Sequence, residues 1–193
     1  MHPTLASTLW KNPASPYARG ALLAVAGSVL LAISAKIQVP FYPVPVTMQT
    51  FVVLSIGMLF GWRLGGATIL LYLAEGCAGL PVFAGTPEKG IGVAYMMGTT
   101  GGYLVGYLFS AVMVGFLAER GWDRDIWKTV AAMILGNIVI YSFGLLWLGI
   151  LLGWNKPILE WGLYPFVLGD ILKVGLAATV FPAVWRWISG KSV

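Results

Sequence analysis

Read as a string of apolar and polar positions, the chain resolves into long apolar runs set apart by short stretches rich in Pro, Gly and charge. Runs approaching 20 residues with few charges mark helices that cross a bilayer. Spans are expected at about 19–37, 47–62, 64–80, 98–118, 127–153 and 165–188, after a polar, proline-containing tail at 1–18. Within these runs the small residues are ordered. Gly20, Ala24, Ser28 and Ala32 recur at every fourth position, and so do Gly98, Gly102, Gly106 and Ser110. Such small-xxx-small faces let helices approach closely in lipid. The second stripe predicts tight packing of the fourth span. The first suits either packing within the bundle or docking of another subunit.

The connecting stretches are equally patterned. Pro40, Pro43 and Pro45 forbid a helix between Gln38 and Gln49 and favour a stiff, extended loop. A turn at Gly61-Trp62-Arg63-Leu64-Gly65-Gly66 separates the second span from the third, and Pro81 to Gly92 forms a Gly/Pro-rich loop. Pro165 suits the first turn of the last helix, while Pro182 is expected to kink it late.

Composition turns this pattern into a class. The chain is 59% hydrophobic and only 10% charged, where soluble domains carry about 25% charged residues. A single all-α integral membrane domain over 1–193 is therefore expected, with six transmembrane helices in a compact bundle. Lys11 and Arg19 before the first run and Ser34-Ala35 after it resemble a signal peptide, but the spans that follow favour a retained helix. One cysteine, Cys77, excludes an internal disulfide and a cysteine metal cluster. The one histidine, His2, lies in the tail, so no metal site and no catalytic residue is expected. No G-x-x-x-x-G-K-[ST] phosphate loop occurs, so the chain does not hydrolyse ATP by that route.

The net charge of +5 is scattered, and it reads as membrane topology rather than nucleic-acid binding. With the N-terminus inside, Lys11, Arg19, Arg63, Arg120, Arg124, Lys128, Arg186 and Lys191 are cytoplasmic, against Lys36, Lys89 and Lys156 outside. Both termini are then cytoplasmic, and the loops at 38–46, 81–97 and 154–164 face out.

Against this background a few polar residues stand where they are expensive. Asp170 and Lys173 lie about 8–12 Å below the outer end of the last helix, on one face. They form either a self-neutralising ion pair or a ligand site. Glu75 in the third span is interfacial or cavity-facing, and Asn137 in the fifth makes an interhelical hydrogen bond or a ligand contact. Thr47 and Gln49 stand where the second helix begins. Gly98 to Tyr103 can offer several backbone N–H groups at a helix start. Phe41, Tyr42, Phe83, Tyr95, Tyr103, Trp161 and Tyr164 can wall a pocket in the outer half, capped by the loops, or form the interfacial aromatic belt.

Four segments then carry a resemblance: Val44-Pro45-Val46-Thr47-x-Gln49-Thr50, Gly79-Leu80-Pro81-Val82-Phe83-Ala84-Gly85, Gly98-x-Thr100-Gly101-Gly102-Tyr103 and Gly169-Asp170-x-x-Lys173. In this order, over about residues 20–180, the chain resembles the BioY family, the biotin-specific substrate-capture (S) components of energy-coupling-factor transporters. The resemblance implies a six-helix fold whose outer loops cap one biotin, with Asp170 and Lys173 contacting its ureido head. It implies no enzyme activity and no cofactor, biotin being the transported ligand. Thr47, Gln49, Tyr103, Tyr164, Asn137 and Glu75 are the further candidates for substrate binding. Two departures stand out. Leu104 occupies a position where some members carry Arg, which leaves the biotin carboxylate to Lys89, backbone N–H groups or water. Glu75 stands where an apolar residue is expected, placed to compete with Asp170 for Lys173.

The implied role is high-affinity biotin uptake across the inner membrane. It works with a transmembrane coupling (T) subunit and cytosolic ATPases, or as a homo-oligomer, among membrane lipids. Gly20, Ala24, Ser28 and Ala32 resemble the face that docks to the coupling subunit. The alternatives are an S component for another vitamin, a small intramembrane enzyme using Asp170 and Glu75, or a purely structural subunit.

Overall fold

A computed structural model describes residues 2–9 and 15–190. Lys11 and Lys191, used above in reading the orientation, lie outside the described residues. A short helix α1 (Leu5–Leu9) precedes α2 (Pro16–Lys36). A small antiparallel hairpin follows, β1 (Gln38–Val39) and β2 (Val46–Thr47), with Gln38 opposite Thr47 and Val39 opposite Val46. Then come α3 (Gln49–Cys77), α4 (Gly92–Met96), α5 (Gly101–Ala118), a 3₁₀ turn (Trp122–Arg124), α6 (Ile126–Leu152), α7 (Ile158–Gly162) and α8 (Tyr164–Gly190). Pro182 lies inside α8, which continues to Gly190.

Among the described residues, five helical stretches are long and apolar enough to cross a membrane. Their outward faces are apolar, for example Leu22, Val29 and Ile33 on α2, Ile134 and Ile138 on α6, and Leu168, Ile171 and Leu172 on α8. Exposed aliphatic side chains in that number fit a lipid solvent and not water. The chain is a multi-pass membrane protein.

The count of five departs from the six expected, for a local reason. The second and third expected spans, 47–62 and 64–80, follow one another without an intervening loop in α3, whose backbone breaks at Gly61 (φ 78°, ψ 178°). Only glycine takes that conformation readily. The arms 49–60 and 62–77 fold back on each other closely enough that a Cβ on Gly65 would lie 3.3 Å from Gly57 Cα. The turn is held from outside. Glu119, at the end of α5, accepts a hydrogen bond from Trp62 N at 3.3 Å, so a carboxylate sits at the start of the second arm. A Cβ on Gly115 would fall 2.5 Å from the backbone of Gly61 and Trp62, so α5 packs directly onto the turn.

The glycine stripe of α5 works as its spacing predicts. Gly102 abuts Trp147 and Phe143, and Gly106 abuts the backbone of Ile140, so α6 lies hard against it. The stripe on α2 also faces inward. Gly20 faces Leu64, Ala24 is buried, Ser28 is fully buried, and Ala32 packs on the core. Neighbouring Gly27 meets Thr68, Phe60 and Ile56 of α3. In this structure Gly20, Ala24, Ser28 and Ala32 lie on the side of α2 that packs within the bundle, with Leu64 of α3 near Gly20 and Glu75 of α3 bonded to Ser28.

The two ends of the bundle differ in kind. One gathers the hairpin, the 78–100 segment and the 153–163 segment; there Thr99 Oγ1 donates to Pro43 O at 2.9 Å, and Trp147 Nε1 of α6 donates to Gly98 O at 2.8 Å. The other gathers α1, Gly61 and the 3₁₀ turn. There Leu5 is 0% exposed, His2 N donates to Glu119 O at 2.7 Å, and Trp185 Nε1 of α8 donates to Asp123.

Candidate functional site

Beneath the loop-rich end, α3, α5, α6 and α8 converge on a small cavity. Its walls come from Val44 and Pro45 of the hairpin loop, Thr47, Gln49 and Thr50 at the start of α3, and Ala84 of the 78–91 loop. Tyr95, Thr100, Tyr103, Leu104, Tyr107, Tyr141 and Phe166 complete them. The aromatic group is continuous: Tyr103 stacks on Phe166 at 6.3 Å between centroids and meets Tyr141 edge-on at 6.4 Å. The space enclosed is about 20 Å³, roughly that of one water.

Directly behind Thr47, Thr50 and Tyr141 lies the pair Asp170 and Lys173. They are 6% and 8% exposed, so neither charge reaches bulk solvent, and their spacing on α8 brings Lys173 Nζ within 3.0 Å of Asp170 Oδ1. Lys173 spends its other donors on Thr47 O at 3.0 Å and Thr50 Oγ1 at 2.8 Å. Thr50 Oγ1 donates to Asp170 Oδ1 at 3.4 Å, and the Tyr141 hydroxyl donates to Asp170 Oδ2. Every polar atom of the pair is thus occupied. Charges this deep are tolerated only when paired and fully hydrogen-bonded. The β2–α3 junction is what makes this possible. Thr47 ends a strand with its carbonyl turned inward, and Thr50 stands in the first turn of α3, one on either side of Lys173 Nζ.

A second polar chain runs up from the cavity to the loops. Gln49 Nε2 donates to Tyr72 OH at 2.7 Å, and Tyr72 OH donates to Val82 O at 3.0 Å. Tyr103 OH donates to Gly162 O at 2.7 Å, tying α5 to α7. In α4, burial raises the Tyr95 hydroxyl pKa above its ordinary value, opposed by a hydrogen bond with Thr100, so this lining group stays a neutral phenol.

The expected site residues divide cleanly. Thr47, Gln49 and Tyr103 line the cavity, and Asp170 and Lys173 back it. Asn137 and Tyr164 do not line it. Asn137 lies in an apolar groove of about 410 Å³ between α6 and α8, shared with Tyr141 and Asp170, where its Oδ1 is buried without a hydrogen bond. Tyr164 is 60% exposed and borders a groove with Lys156 and Glu160. Glu75 accepts a hydrogen bond from Ser28, so it joins α3 to α2 and makes no contact with Lys173. Leu104 lines the cavity as an apolar wall, and the Lys89 stem lies against Gly85 in the loop. Thr50, Tyr107, Tyr141 and Phe166 were not among the expected binding residues. Tyr107 follows Tyr103 by one helical turn, a spacing that places both on one face.

Among the described residues, no group of three or more His, Cys, Asp or Glu side chains is placed to hold a metal ion. The cavity thus joins a hydrogen-bonding floor to aromatic walls.

Known proteins resemble the chain over most of its length. The chain is 35% identical over 151 residues to the probable biotin transporter BioY of Pyrococcus horikoshii, covering 78% of this chain and 86% of that one. It is 35% identical over 165 residues to the biotin transporter BioY of Rhizobium etli, covering 81% and 86% respectively. A crystal structure of the S-component for biotin from an ECF-type ABC transporter shares the fold, with TM-score 0.70 at 23% identity over 88% of this chain and 92% of that one. The BioY family model matches residues 6–190, nearly the full described length, and the chain belongs to the BioY family.

Proposed function

We propose that this chain captures biotin at the outer face of the cytoplasmic membrane and delivers it inward, as the substrate-specific component of an energy-coupling-factor transporter. The observation that carries the proposal is the buried Asp170–Lys173 pair set directly behind an aromatic cavity in a BioY-family chain. A ureido group offers two N–H donors and one strongly accepting carbonyl. Asp170 takes an N–H and Lys173 donates to the carbonyl, each a charge-assisted bond. The thiophane ring and valeryl chain suit Tyr103, Tyr107, Tyr141 and Phe166.

Binding on this reading is an exchange. The space enclosed is too small for a bicyclic head, so the lining side chains part, and Lys173 and Asp170 give up Thr47, Thr50 or Tyr141 in favour of the ureido atoms. Because the pair is already buried, its desolvation is met on folding and is not charged to binding a second time. Affinity then comes from better geometry and from apolar burial.

The topology we infer has six crossings, counting the arms of α3 on either side of Gly61 as two. It is supported by the fold-back at Gly57 and Gly65 and by the placement of α1 and the end of α8 at the same end of the bundle. The positive-inside excess then sets that end in the cytoplasm of a bacterial-type inner membrane. The role is not enzymatic and uses no cofactor; the energy comes from a coupling subunit and ATPases, or the chain acts as an oligomer. The test is direct. Asp170→Asn and Lys173→Ala each abolish tight biotin binding by the purified chain in detergent, and parent-like binding by both overturns the site. Thiamine and riboflavin fail to compete with labelled biotin, which is recovered chemically unchanged.

A further inference from the structure

Lys36 ends α2 and spends its ammonium on a single turn of the 78–91 loop. Its Nζ donates to Phe83 O at 2.9 Å, Thr86 O at 3.1 Å and Thr86 Oγ1 at 3.0 Å. An ammonium has three donors, and all three are engaged here. The Thr86 hydroxyl in turn donates to Phe83 O at 2.7 Å, closing the turn on itself.

What the turn presents inward is part of the cavity. Ala84 lines it directly. Phe83 is 0% exposed, stacked on Tyr95 at 5.0 Å and edge-on to Tyr72 at 5.4 Å, and Tyr95 is itself a lining residue. The Phe83 ring fits because residue 76 is glycine; a Cβ there would lie 2.0 Å from the ring. Lys36 also stands at the root of the hairpin loop that supplies Val44 and Pro45, with Met48 N donating to Ile37 O at 3.1 Å at its base. The Lys36 side chain therefore fastens the 83–86 turn to the end of α2, from which the hairpin loop springs.

We infer that Lys36 is the positioning residue of the lid: it clasps the 83–86 turn so that Ala84 and, through Phe83, Tyr95 stay seated against bound ligand, and it sets how fast ligand leaves. The inference rests on biotin being that ligand. A lysine that merely decorates the surface, or only adds stability, would leave the release rate alone. The clasp holds the lid closed over bound ligand, so its loss appears mainly in dissociation.

The experiment compares parent, Lys36→Met and Lys36→Arg, purified as full chains in detergent. Stopped-flow biotin kinetics and hydrogen exchange of amides 82–91 are the readouts. Lys36→Met keeps the stem and loses the donors. It is expected to speed biotin release about tenfold or more, equivalent to about 1.4 kcal/mol. Association changes much less than dissociation, as is usual among variants of one interface. Lys36→Arg, which keeps charge and donors, restores slow release. Exchange at 82–91 rises in Lys36→Met while the thermal unfolding midpoint of the bundle stays with the parent. An unchanged release rate in Lys36→Met overturns the inference, as does equal loss in Lys36→Arg. Should the parent fail to bind biotin, the functional proposal falls instead. Exchange at 82–91 then decides the clasp by itself, parent-like exchange in Lys36→Met overturning it.

Discussion

Thr50 stands between the two charges of the buried pair: its hydroxyl accepts from Lys173 Nζ at 2.8 Å and donates over 3.4 Å to Asp170 Oδ1. The pair is therefore bridged as well as in contact, and neither charge can be removed without stranding the other.

That arrangement predicts an asymmetry between single and double substitutions. Lys173→Met leaves an uncompensated buried carboxylate and is expected to cost about 3–5 kcal/mol of stability. Asp170→Asn combined with Lys173→Met removes both charges, so most of that loss returns while biotin binding stays absent. Denaturant unfolding in detergent beside equilibrium biotin binding separates the two readouts. A double variant as unstable as Lys173→Met alone would show that the pair is not the source of the cost.

A second prediction concerns the turn inside α3. Gly61 has φ 78° and ψ 178°, and a Cβ there would meet Glu119 Oε1 at 2.4 Å and Thr4 Cγ2 at 2.9 Å. Gly61→Ala is expected to cost about 1–3 kcal/mol from the backbone conformation, before any clash is counted. Gly115→Leu drives a side chain into the backbone of Gly61 and Trp62 and is expected to cost more. Loss of folded yield and a lower unfolding midpoint check both, with Gly175→Ala, where nothing lies within 4 Å, as the control. Equal tolerance at all three positions would rule the close packing unimportant.

These elements also show what the amino-acid order makes legible. A multi-pass helical bundle follows from the apolar runs, because lipid forces backbone groups to pair within each span. Asp170 and Lys173 declare themselves by being out of place, and Thr47, Gln49 and Tyr103 by their motifs. Depth along a helix can be counted at 1.5 Å per residue, but rotation about its axis cannot be counted in the same way. That is why Asn137 was expected at the ligand and lies in the α6–α8 groove, and why Tyr164 points away. Glu75 reads as a competitor for Lys173 until Ser28 is found opposite it. Tyr107, Tyr141 and Phe166 pass for ordinary membrane aromatics, since nothing local says that three helices aim them at one point. The five-for-six count has a related origin: a turn is visible at Gly61–Gly66, but that the two arms meet at a single broken residue, Gly61, with no loop between them is not.

A third prediction tests the far wall of the cavity. Tyr103 OH donates to Gly162 O at 2.7 Å, and this bond ties α5 to α7. Tyr103→Phe keeps the ring against Phe166 and Tyr141 and removes only that donor. Hydrogen bonds between membrane helices average about 0.6 kcal/mol and reach about 1.7 kcal/mol, so a loss in that range is expected. Amide exchange at 158–163 should rise, with biotin affinity falling less than in Tyr103→Ala, which also removes the ring. Identical affinities for the two variants would take the ring out of the site.

The last prediction lies at the opposite end of the molecule. Asp123 is 1% exposed, its Oδ2 accepts from Trp185 Nε1, and its Oδ1 has no hydrogen-bond partner. Burial raises its carboxyl above the ordinary carboxylate value of 3.8, against the opposing pull of Trp185, Arg124 and His2. The sign follows from linkage. A carboxyl whose folded pKa exceeds its unfolded one binds its proton more tightly when folded. Its contribution to stability is complete below about pH 4 and is lost as pH climbs through the raised folded value. The parent chain should therefore lose stability on going from about pH 4 toward neutrality relative to Asp123→Asn, which keeps an acceptor for Trp185 and cannot ionise. Unfolding midpoints of the two chains across that range give the comparison. The curves should diverge as pH rises, and parallel curves would mean that the Asp123 proton is held no more tightly in the fold than outside it.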